Sequence, residues 1–219
     1  MEKLPIYDIS NFNFTTVNSQ LYVNSFKNHL KAHNFIEKPH RHNFYLLVLF
    51  THGTGTHEID FDSYDIKRGS LFVVQPGQIH NWKLSDDIDG FIVFYSQETY
   101  NLYFGNKKIE DYSIYQSVKS QPELFFEEKE FLEIEVYFKL MKAESESGKA
   151  KQKDKILNLL DSINIEISRK YLPENNHKTP IYNHKINQFE KLIESTNSFA
   201  GTLGTTITSE SPQRSETGW

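Results

Sequence analysis

Three histidines are the residues whose type and spacing could do chemistry: His40 and His42 at the mouth of the apolar run "HRHNFYLLVLF", and His80 in "PGQIHNW". Residues two apart on a strand point to the same face, so His40 and His42 can meet His80 from a neighbouring strand inside a barrel. Three neutral imidazoles suffice in number for a zinc or iron site with open positions. They can equally orient a small organic molecule, given apolar surface around them. That surface is written beside them: Phe44, Leu46 and Val48 continue the face of His40 and His42, and Trp82 continues that of His80. A barrel this small can also be filled by its own side chains, with no cavity at all.

The elements that must position these residues change character along the chain. Between His40 and Ser96 the runs "FYLLVLF", "HEIDF", "DSYD", "SLFVV", "IHNWKL" and "FIVFYS" are short, β-rich and separated by turn-forming stretches. Their alternation places Ile59 and Phe61 on one face, with Glu58 and Asp60 on the other. Gly53, Gly55, Gly69 and Gly77 fall where positive φ or close backbone approach is cheapest for glycine. Many short strands at this spacing predict a barrel or sandwich. After Leu124 the apolar period becomes helical. Phe131, Ile134, Phe138 and Met141 share one face, and Ile156, Leu159, Leu160, Ile163 and Ile167 share another. "AESESGKAKQKD" reads as a solvated link between two antiparallel helices, and Pro173 as a stop after the second.

The expected organisation is an amino-terminal arm over 1–34 with one edge strand, a barrel over 35–122, and a helix hairpin over 123–173. A linker with a short helical pattern then covers 174–195, and a Ser/Thr/Gly-rich tail, expected to be disordered, covers 196–219. His52 and His57, next to the glycine-rich turn, and His29, His33, His177 and His184 read as solvated surface residues.

A chain of 219 residues with 37% hydrophobic and 24% charged residues can bury a substantial core. Its net charge of −5 argues against coating nucleic acid or anionic membrane over the whole surface. Without cysteine it has neither disulfides nor thiolate metal sites. It shows no signal-peptide core and no apolar run of membrane-spanning length, so a cytoplasmic protein without membrane contact is expected. Nucleophile elbows, phosphate loops, His-Glu-x-x-His and deaminase signatures are absent, and no enzyme activity is expected.

The barrel segment resembles the cupins. His40 and His42 match the His-x-His of the first cupin motif, and "GSLFVVQPGQIH" leads to His80 as the second motif does, with Gly69 and Gly77 in place and Pro76 one position late. The resemblance implies a double-stranded β-barrel, or jelly roll. Where the cupin pattern has a metal-binding Glu, this chain has Leu46 and Leu47, so a cation would lack its charge partner and no metal or other cofactor is expected. Over roughly residues 5–195 the order of segments is similar to the amino-terminal domain of AraC-type transcription regulators, which implies a mainly β fold with a cupin-like barrel followed by an antiparallel helix hairpin.

The AraC-type resemblance further implies a sensor of a small organic effector, a sugar being one candidate, with ligand-binding residues His40, His42, Phe44, Leu46, His80 and Trp82. It implies homodimerisation through the hairpin, with Phe131, Ile134, Phe138 and Met141 as candidate interface residues. Periodicity alone favours those four as core against the barrel. DNA binding belongs in such regulators to a carboxy-terminal domain with two helix-turn-helix motifs. "INQFEKLIES" is similar to that domain's opening helix, but from Ile186 only 34 residues remain. The chain therefore reads as a truncated regulator not expected to bind specific DNA alone. A small metal-dependent cupin enzyme and a stand-alone metabolite-binding cupin are the alternatives.

Overall fold

The computed structural model describes residues 4–12, 16–18, 20–33, 38–117 and 120–174. The β-rich runs become β5 (Tyr45–His52), β6 (Gly55–Ile59), β7 (Asp62–Ile66), β8 (Ser70–Val74), β9 (His80–Leu84) and β10 (Asp89–Tyr95). Before them lie β1 (Ile6–Tyr7), β2 (Thr16–Asn18), β3 (Leu21–Ser25), α1 (Phe26–Ala32) and β4 (Arg41–His42). After them come α2 (Gln97–Phe104), β11 (Glu123–Phe125), α3 (Glu128–Ser145) and α4 (Gln152–Glu174).

One sheet runs β11-β8-β5-β10-β3-β2 and a smaller one β7-β6-β9, while β1 pairs in parallel with β4. The sheets face each other across one apolar interior, where Leu46, Val48, Phe50, Phe72 and Phe94 of the large sheet meet Ile59, Ile66 and Trp82 of the small one. This is the cupin-like double-stranded arrangement. Glycine is sterically required at several of its turns and close approaches, Gly69 and Gly90 among them. Gly69 turns into β8 at φ +93°, where a Cβ would lie 2.4 Å from the Phe126 carbonyl oxygen, and at the β10 bulge a Cβ on Gly90 would lie 2.0 Å from that of Leu49.

The outer face of the large sheet is not solvated. Tyr45, Leu47, Leu49, Leu71, Val73, Val93 and Tyr95 form a second core with the apolar faces of α3 and α4. Strand β5 is consequently buried on both faces, which explains its unbroken apolar run. The helices form an antiparallel hairpin, Glu130 pairing with Lys170 at one end and Glu144 with Lys155 at the other, at 2.7 and 2.6 Å.

Several expectations need correction. Phe131, Ile134, Phe138 and Met141 are each 0–1% exposed within the chain, because they fill the space over the sheet, so they are not available as a dimer surface. Phe61 is fully exposed rather than paired with Ile59, because β6 ends at Ile59 and the chain turns at Asp60, with φ 55°. Where one edge strand was expected before residue 35, the described residues hold three, β1, β2 and β3, and β3 lies inside the sheet between β10 and β2. The link between the helices is shorter than its composition suggested, since α3 runs on to Ser145 and α4 starts at Gln152, and Glu144 is buried in the last turn of α3, accepting from Lys155 and Ser147. Helix α4 runs through Pro173 to Glu174, since a proline in a last turn forfeits only one backbone donor. The helical pattern at Ile186, Phe189, Leu192 and Ile193, His177, His184 and the 196–219 tail lie outside the described residues.

Candidate functional site

The sheets bring the predicted histidines together. His40 forms an antiparallel bridge with His80, their backbones exchanging hydrogen bonds of 3.1 and 2.9 Å, and the two rings stand 4.4 Å apart. His42 Nε2 lies 3.1 Å from His80 Nε2, and His42 Nδ1 is 2.7 Å from the Phe44 carbonyl oxygen. Phe44 stacks on His42 at 4.3 Å and Trp82 meets His80 edge-on at 4.8 Å, while Leu46 packs in the same interior. All six residues named from sequence are at most 3% exposed.

A fourth imidazole completes the set. His57, expected at the surface, is wholly buried, with Nε2 3.1 Å from His80 Nδ1 and its ring 4.9 Å from Trp82. The signal for it was present, because His57 shares the parity of the apolar Ile59 on β6, opposite to that of Glu58 and Asp60. His29 and His33 are also buried, for a reason of helical period. Phe26, His29, Leu30 and His33 recur at one face of α1 or its end, and Ser25 caps the helix by accepting from the Asn28 N–H at 3.3 Å. His29 Nδ1 lies 2.9 Å from the Tyr22 hydroxyl. His52 is exposed, as expected.

Burial keeps these rings neutral. Desolvation pushes His29 and His42 down to about 3, in His42 against the opposing pull of its Phe44 hydrogen bond, and it holds His57 and His80 well below the ordinary histidine value. His40 is lowered by the same cause.

No carboxylate is recorded against these imidazoles among the described residues. Nδ1 of His40 and of His42 face backbone carbonyls, a contact that metal-ligating histidines also make and that orients the ring, and both nitrogens of His80 face other imidazoles. The inward position on β5 that would need a carboxylate is Leu46. Among the described residues, no group of three or more His, Asp or Glu converges at metal-binding geometry.

What the interior does present is unpartnered polar atoms. His57 Nδ1, Trp82 Nε1 and His29 Nε2 are buried without a hydrogen-bond partner, each costing about 1–3 kcal/mol if left so. A groove of about 710 Å³ lies elsewhere, on the hairpin, but its lining carries Glu130, Glu133, Glu166, Arg169 and Lys170 and belongs to the solvated surface.

The family model described as the AraC-like ligand binding domain matches residues 25–147, more than half of the chain. The chain belongs to the AraC-like ligand binding domain family. The match runs from the cap of α1 through the barrel to the hairpin turn, and so contains all four clustered imidazoles. No curated protein matches the sequence. Among solved structures, apo ToxT of Vibrio cholerae strain SCE256 aligns with 12% identity and a TM-score of 0.45, over 70% of this chain and 58% of its own. The AraC-like transcriptional activator CuxR aligns with 12% identity and a TM-score of 0.41, over 80% and 58%. Oxalate decarboxylase of Bacillus subtilis aligns with 17% identity and a TM-score of 0.26, over 42% and 30%. This AraC-like domain thus spans about 58% of the length of ToxT and of CuxR.

Proposed function

We propose that this chain is the sensory part of an AraC-like transcription regulator, and that it takes a small organic effector, a sugar being one candidate, between its two sheets. The observation that carries this reading is the pair of unpartnered atoms, His57 Nδ1 and Trp82 Nε1, buried within an aromatic wall. Small-molecule sites combine such apolar surface with a few orienting polar groups. His40, His42, Phe44, Leu46 and His80 form the rest of the wall. The imidazoles serve recognition rather than catalysis, since they are neutral, closed from solvent and bonded to one another.

Strand β5 links the site to the hairpin, because Phe44 and Leu46 face the interior while Tyr45 and Leu47 carry the helices. In an AraC-like regulator built on this domain, that hairpin pairs two copies and a carboxy-terminal helix-turn-helix domain contacts DNA. The exposed stripe Leu132, Val136 and Leu140 on α3, 46–51% exposed at four-residue spacing, replaces the buried face as the dimer seam. The protein acts in the cytoplasm. Among the described residues no helix is long and apolar enough to cross a membrane.

A thermal-shift screen of sugars and small metabolites tests the effector reading. A ligand at a hundred times its Kd adds about 2.7 kcal/mol of stability, and that gain is expected to vanish in Trp82→Phe and His57→Phe. A gain that survives both substitutions places the effector elsewhere, and a screen without any gain counts against the reading.

A further inference from the structure

The imidazole chain has a polarity, and its polarity selects the ligand. The Phe44 carbonyl oxygen can only accept, so His42 carries its proton on Nδ1 and, being neutral, has a bare Nε2. His80 must then donate from Nε2, which leaves its Nδ1 to accept from the His57 Nε2–H. His57 is left with a bare Nδ1, an obligate acceptor. Reversing the chain would turn a lone pair of His42 onto the Phe44 carbonyl, so the backbone fixes its direction.

Beside that acceptor stands an obligate donor. Trp82 is the direct cross-strand partner of His57 between β6 and β9, the rings are 4.9 Å apart, and the indole Nε1–H has no partner. One hydroxyl group can serve both atoms, donating to the first and accepting from the second. Phe72 and Phe26 flank the pair, 4.7 Å from His57 and 5.4 Å from Trp82. No cation is recorded against His57 or Trp82 to balance an anion there: among the described residues no Lys or Arg is buried as a whole, although Arg41 buries its Nε, and the imidazoles stay neutral.

We infer that the effector is an uncharged molecule presenting a hydroxyl to His57 Nδ1 and Trp82 Nε1, and that the site rejects carboxylates. This rests on the reading that the interior binds the effector. A carboxylate or an ether offers no proton to His57, and leaving such a buried group unpaired weakens binding roughly tenfold to a hundredfold.

The full chain, labelled with 15N histidine and tryptophan, tests this by long-range proton–nitrogen correlation at pH 7. Protons are expected on His42 Nδ1, His80 Nε2 and His57 Nε2. D-glucose against D-gluconate, and benzyl alcohol against benzoate and benzyl methyl ether, are then titrated together with any hits of the thermal-shift screen. Neutral hydroxyl compounds are expected to move the His57 Nδ1 and Trp82 Nε1 signals, with their charged or methylated counterparts at least about tenfold weaker. A proton on His57 Nδ1 overturns the inference. So does a carboxylate or a compound without hydroxyls that moves these signals as tightly, although effector binding itself then stands. If no compound moves either signal, the effector reading falls and this inference falls with it.

Discussion

At the scale of residues, the interior histidines are held by each other and by two backbone carbonyls, so each is both a structural and a recognition group. His80 is the centre, bonded through both ring nitrogens. His80→Phe keeps the ring volume but orphans His42 Nε2 and the His57 Nε2–H, and is expected to destabilise the fold by about 2–4 kcal/mol in urea unfolding. The chain also makes stability pH-dependent. His29 and His42 have folded-state values of about 3, below the ordinary value near 6.5, and burial also holds His57 and His80 well below that ordinary value. Their neutral forms therefore favour the folded state fully above about pH 6.5, and that contribution is lost as pH falls toward 3, at about 1.4 kcal/mol per group per pH unit. Acid unfolding at pH 5 should take up about four protons at these histidines. Calorimetry in buffers of different ionisation enthalpy measures that uptake, and none at all would show the rings to be already charged.

At the scale of elements, the helix hairpin is pinned to the sheet by a polar spine as well as by its apolar face. Asp161 of α4 accepts from Tyr100, from Tyr112 at 2.5 Å and from Lys107 at 2.7 Å, and Tyr115 joins Tyr95 of β10 to Asn164 of α4 by two bonds of 2.7 Å. Burial alone would raise the Asp161 carboxyl, but the three donors outweigh it and hold it below the ordinary value. Asp161→Asn is expected to cost about 1–3 kcal/mol and to speed amide exchange in α4 more than in β5 and β10. Equal acceleration in all three would mean that the spine supports the whole fold rather than the docking of one helix.

At the scale of the whole molecule, the two sheets pack around one apolar interior and, among the described residues, α3 leaves the stripe Leu132, Val136 and Leu140 exposed. Val136→Glu sets a charge amid Leu132, Val136 and Leu140 without entering the core. Light scattering after size exclusion should show a dimer for the parent chain and a monomer for this variant, with little change in unfolding midpoint. A parent chain that is monomeric at tens of micromolar removes α3 as the seam.

The sequence by itself determined the order from β5 to β10 and the two hairpin helices, because period-two and period-3.6 patterns are local, but not the arm, α1, α2 or β11. It also determined the inward face at His40, His42, Phe44, Leu46, His80 and Trp82, because parity on a strand is local too. Tertiary structure alone decided the rest. His57 became the third link of the imidazole chain only because β6 pairs with β9 in the register that sets it against Trp82. Phe131, Ile134, Phe138 and Met141 became core rather than seam because the outer face of β5 and its neighbours is apolar and needs cover. Periodicity names the face of an element that is buried, but what buries it depends on contacts between residues far apart in the chain, and those are fixed only when the elements pack.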